Sequence, residues 1–92
     1  MEIDWSPVKN EELKRRYGFG FERILVALSE GALLENRTHP NGTRYGRRRQ
    51  LIVEVDRYAW VVPFVSEGAI VFFKTMFPSR KATRMYLERS DG

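Results

Sequence analysis

"QLIVEVDRYAWVVPFV", residues 50–65, decides the architecture. Leu51, Val53 and Val55 alternate with Ile52 and Glu54, the period of a β-strand with two distinct faces. A second run, residues 58–65, is rich in β-branched and aromatic side chains. Only Asp56 and Arg57 separate the two runs, so they predict an antiparallel hairpin. Pro63 has no N–H to give to a ladder and therefore predicts a sheet edge or a bulge.

Toward the C-terminus, "SEG" (66–68) turns the chain into "AIVFFKTMF" (69–77), which reads as a third long strand. By the period of two, Lys74 is expected on the same face as Phe72 and Met76. Pro78 ends the strand, and Ser79 is placed to cap a last helix running to about residue 88.

Toward the N-terminus, "NRTHPNGTRYGRRR" (36–49) has the Asn, Gly, Pro and Thr content of a loop. "ALLE" (32–35) reads as a further short strand. Before it, Phe21, Ile24, Leu25 and Leu28 fall at i, i+3, i+4 and i+7, one stripe of a helix that Gly31 stops. "GFG" (18–20) lacks the preceding strand and third glycine of a nucleotide fingerprint and reads as a hinge. A first helix is predicted over 7–17, with Ser6 as N-cap, Pro7 at its first position, Val8, Leu13 and Tyr17 on its apolar face, and Gly18 at its end. "EIDW" (2–5) precedes it as a short strand. The expected order is β-α-α-β-β-β-α with one further short strand. This is a single α+β domain over 1–92: an antiparallel sheet of three to four strands, two N-terminal helices on one face, and a short C-terminal helix.

The bulk numbers exclude several classes. The 92 residues contain no cysteine, which removes disulfide frameworks and thiolate metal sites and fits a reducing compartment. The first ten residues hold no apolar signal core, and the apolar runs are too short to cross a bilayer. A soluble, cytoplasmic protein with no membrane partner is expected.

Net charge is +4, but it is segregated. Residues 37–49 hold Arg37, Arg44, Arg47, Arg48, Arg49 and His39 with no acid. Residues 68–87 hold Lys74, Arg80, Lys81 and Arg84 with no acid. The rest of the chain is net acidic. Such segregation suits a polyanionic partner meeting one surface, although a solvated basic loop and helix face would have the same composition. Lys74, the N–H groups after Ser79, Arg80 and Lys81 could converge on one phosphate. His39 is the sole histidine. With no carboxylate or thiol cluster beside it, proton transfer suits it better than metal binding.

No serine elbow, phosphate-binding Gly loop or paired-acid signature is present. Cations, one histidine and a few tyrosines remain, and RNA cleavage fits those groups. The 2′-OH attacks the adjacent phosphorus, so the protein must supply a base, an acid and fixed positive charge.

At this point the chain resembles a family, the BrnT-like toxins of bacterial type II toxin–antitoxin systems, which share the RelE/ParE-like fold of small endoribonucleases. "IDWSPVKNEELKRRYGFGFERI" (3–24) is similar to the family's F-E-W-D-P-x-K start, helix, Gly turn and F-E-E. "FKTMFPSRKATRMYLE" (73–88) is similar to its I-I-S-A-R-K-A-T close and basic helix. "ENRTHPNGTRYGRRRQLIVEVDRYAWVVPFV" (35–65) resembles a subset of such toxins, with extra residues before His39. The likeness implies mRNA cleavage, on or off the ribosome, without a cofactor or metal. It carries over Lys74, Arg80, Lys81 and His39 as the groups at the scissile phosphate. Tyr86 or Tyr45 stands in for His39 as acid or base. Arg44, Arg47, Arg48, Arg49 and Arg84, with Tyr45, would hold flanking RNA. It also implies a cognate antitoxin, through which alone operator DNA would be met. The rival reading is a non-catalytic basic module that grips nucleic acid or a protein target such as a topoisomerase.

Overall fold

A computed structural model describes residues 2–39 and 48–88. The chain runs through β1 (Glu2–Trp5), α1 (Pro7–Tyr17), α2 (Phe21–Ser29), β2 (Leu33–Thr38), β3 (Arg48–Val55), β4 (Tyr58–Glu67), β5 (Ile70–Phe73), β6 (Phe77–Pro78) and α3 (Arg80–Tyr86). The alternating runs of 50–65 form the expected hairpin, with Val55 opposite Tyr58 and Leu51 opposite Val62. Its two-residue turn puts Asp56 at φ 52° and Arg57 at φ 68°. Positive φ at both central positions matches the right-handed twist of the strands, so the geometry is that of a type I′ turn even without glycine.

The sheet is larger than expected and mixed rather than antiparallel. Its order is β1-β5-β4-β3-β2, with β6 also paired to β4. The first strand pairs parallel to β5, Ile3 beside Val71 and Trp5 beside Phe73. This pairing joins segments about 68 residues apart in the chain, which a local pattern does not report. The strand at "ALLE" also extends further, to Thr38. Polar side chains stitch that extension to its neighbour: Arg37 Nε donates to Gln50 Oε1 at 2.9 Å, and Arg49 Nε donates to Asn36 Oδ1 at 3.0 Å.

The third long strand is broken. Phe73 pairs with Phe64, but Phe77 pairs with Val61, so residues 74–76 oppose only residues 62–63. One extra residue makes this a β-bulge. Lys74 donates its N–H to the Pro63 carbonyl at 2.8 Å. Nitrogen and carbonyl of one strand residue point to the same neighbour, so the missing N–H of Pro63 faces the bulge, where the regular ladder is already interrupted. Pro63 thus marks a bulge, one of its two expected settings.

The bulge also reverses which side chains point which way. Lys74 stays with Phe72, its Nζ 5.3 Å from the ring centroid. Met76 is instead buried in the same core as Phe73. The expectation that Met76 shares the face of Lys74 fails because the inserted residue resets the period of two.

Two cores lie on opposite faces of the sheet. On one, α1 and α2 cover Val53, Val55, Trp60, Val62, Phe73 and Met76 with Leu13, Phe21, Ile24 and Ala27. Trp60 meets Tyr17 and Phe19 edge-on at 5.0 and 4.9 Å between centroids. On the other, α3 packs Ala82 on Ile52, Ala59 and Val61, with Leu34, Tyr86 and Leu87 around them. The helices therefore sandwich the sheet.

The first helix has the expected ends. Ser6 accepts the Lys9 N–H, and Gly18 sits at φ 87°, the left-handed cap conformation that favours glycine. Gly20 is more than a hinge. It has no side chain to cap α2, so buried Asn10 of α1 does so, its Oδ1 accepting the Phe21 N–H at 2.7 Å. A Cβ on Gly20 would stand 2.2 Å from that oxygen. The Asn10 amide also donates to Glu22 Oε2 at 2.9 Å, and this bond is the main reason the Glu22 carboxyl is held below its usual pKa.

Candidate functional site

The face carrying α3 is only partly covered. Cross-strand partners share a face, so Arg37 and Gln50, Arg48 and Val65, and then Phe72 follow from the register. Lys74 joins them through its contact with Phe72. His39 continues the β2–β3 pairing: its N–H donates to the Arg48 carbonyl at 3.1 Å, and alternation sets its side chain on the face of Arg37. The strands thus gather Arg37, His39, Arg48 and Lys74 on one surface.

The last helix forms a wall of that surface. Lys81 and Met85, four residues apart, share one flank. Together with Ser79 and Ala82 they line a hollow of about 340 Å³ whose other side is Arg37 and Thr38. Two cations and the Ser79 hydroxyl over a small apolar floor suit an anion carrying an organic group. The hydrogen bond to Gln50, which is 5% exposed, holds the Arg37 guanidinium in place. Thr83 anchors the wall: its Oγ1 accepts the Ala59 N–H at 2.9 Å and donates to the Ser79 carbonyl at 2.8 Å.

The expected site residues separate into groups. His39, Arg48, Lys74 and Lys81 share the open face. Arg80 and Arg84 are exposed on α3 but lie about 100° around the helix from Lys81 and Met85, so they do not line the hollow. Tyr86 packs into the small core beneath α3. Arg49 points to the opposite face, bonded to Asn36 there. Arg44, Tyr45 and Arg47 lie outside the described residues. The N–H groups after Ser79 are not all open either, since Ser79 Oγ takes that of Ala82 at 3.0 Å.

Arg37 is the residue the motif reading passed over. Its signal was its place in the acid-free window, but its role emerges only once β2 is extended far enough to set it opposite Gln50.

On the other face, beside α2, lies an apolar hollow of about 670 Å³ floored by Leu51, Phe64, Val71 and Phe73, with Arg49 at its rim. Among the described residues no three of His, Cys, Asp and Glu stand together as metal ligands would, and no helix is long and apolar enough to cross a membrane. No protein-family model, no curated protein and no solved structure matches this chain.

Proposed function

We propose that this protein is an endoribonuclease that cleaves mRNA without a metal, acting as the toxin of a type II toxin–antitoxin system. The observation that carries the reading is the gathering of Arg37, His39, Arg48, Lys74 and Lys81 on one open sheet face. Arg37, held by Gln50, and Lys81 across the hollow suit the extra negative charge of a pentacovalent phosphorane. The nucleophile comes from the substrate. The 2′-OH attacks phosphorus, the P–O5′ bond breaks, and a 2′,3′-cyclic phosphate and a 5′-OH result. His39 takes the 2′ proton, and Lys81 or Lys74 supplies the proton for the departing 5′ oxygen. Arg80 and Arg84, around the outside of α3, would meet RNA beyond the scissile nucleotide.

The toxin assignment rests on the resemblance of residues 3–24 and 73–88 to BrnT-like toxins. It carries with it a cognate antitoxin partner and operator DNA met only through that antitoxin.

The test is cleavage of labelled RNA in EDTA by purified protein. His39→Ala and Lys81→Ala are each expected to slow cutting by about 100-fold or more, the usual contribution of a general acid–base group. Intact RNA with the wild type, or cutting at the wild-type rate by both variants, rejects the proposal.

The position of Tyr86 favours one rival. With its ring packed against the core beneath α3 and outside the hollow, Tyr86 leaves the hollow one fewer proton donor, which suits a module that binds an anionic partner without chemistry. Steeply salt-dependent RNA binding with no cleavage marks that outcome.

A further inference from the structure

Phe72 stands out on the open basic face. It is half-buried, outside the small core packed under α3, and it lies in one cross-strand row with Arg48 and Val65. The next position on its own strand face, Lys74, sets an ammonium 5.3 Å from the ring centroid. An aromatic side chain on the open part of the sheet, with Lys74 next to it on its strand and Arg48 two strands across, has the makings of a stacking platform for a base whose phosphates reach the cations.

We infer that Phe72 is a nucleobase-binding subsite, stacking one unpaired base of a single strand while Lys74 and Arg48 hold the phosphates on either side of it. The inference rests on the RNA-cleaving reading of this face and adds the group that positions the strand. Lys74 occupies the ring in the absence of RNA, so the two contacts compete. A cation–π contact at an exposed site favours its bound form by about two- to five-fold. Stacking a base on an aromatic side chain is worth about 5- to 150-fold. Exchange therefore favours the base, and the released ammonium turns to the adjoining phosphate. Any base has a π-face, so the subsite is tolerant of sequence and selects for unpaired strands.

The experiment compares two ligands of equal length, a non-cleavable 2′-O-methyl oligoadenylate and the corresponding abasic sugar-phosphate oligomer. The wild type is expected to prefer the base-bearing strand by at least about five-fold. Phe72→Leu keeps apolar volume but removes the π-face, and should bind both ligands alike. Phe72→Trp should retain the preference and show quenching of its added indole on binding. If Phe72→Leu keeps the wild-type preference, the subsite is wrong while the basic face stands. If the wild type binds neither oligomer at low salt, the RNA reading fails and takes the subsite with it.

Discussion

The two faces of the sheet differ in how they are covered. Among the described residues, twelve buried side chains form the core under α1 and α2, against four under α3. The first face is closed by stacked aromatics, Trp5, Phe21 and Phe73 within 6.2 Å of one another. The second is held by a seven-residue helix pinned through Thr83, and leaves the part with Arg37, Arg48 and Lys74 outside its core. A sheet this small cannot bury both faces fully. Stability is concentrated on one face, which frees the other to collect charge at little cost to folding.

The contrast can be tested by damaging each face. Phe73→Ala should be the most severe change, costing about 3–5 kcal/mol for a large buried aromatic, a large share of the stability of a domain this size. Urea denaturation measures it. A loss under about 1 kcal/mol would mean that the aromatic cluster is not the main core.

Thr83→Val strikes the second face. It leaves the buried Ala59 N–H without its acceptor and should cost about 1–3 kcal/mol. Amide exchange should show α3 opening while α1 and α2 stay protected. Uniform loss of protection would show that the faces melt as one unit.

The smallest effect is expected at Glu22, over the well-covered face. Its carboxyl is held below the reference value of 4.5, first by the Asn10 amide. A depressed acid contributes stability that is present above its unfolded pKa and lost as pH falls through the folded one. Stability should therefore drop slightly as pH falls below about 4.5, and Glu22→Gln should flatten that part of the profile. The group is largely exposed, so the change is roughly half a kcal/mol or less. A thermal-melting series against pH in both proteins resolves it, and identical profiles would exclude the coupling.

Much of the fold was legible because it is local. Ser6-Pro7 and Gly18 set the ends of α1 at the expected residues, and the alternation of 50–55 placed Val53 and Ile52 on opposite faces as read. Pairings over long separations were not legible. Nothing in "EIDW" says it will lie parallel to residues 70–73, and nothing in 80–86 says which face α3 takes. The loop composition of Asn36, Arg37 and Thr38 hid a strand that pairs with β3 and is reinforced by side-chain bonds between the two. That missed extension is why Arg37 was given no role of its own while His39 and Lys74, tied to visible pattern breaks, were singled out.

The bulge opposite Pro63 sets which changes in length this stretch accepts. Phe73 and Phe77 are four steps apart while their partners Phe64 and Val61 are three apart, so losing Lys74 or Thr75 would leave a regular ladder, with Phe77 still opposite Val61 and Met76 still facing the core. A further residue would widen the mismatch instead, so across natural variants of this chain shortening by one between Phe73 and Met76 should be tolerated and lengthening should not.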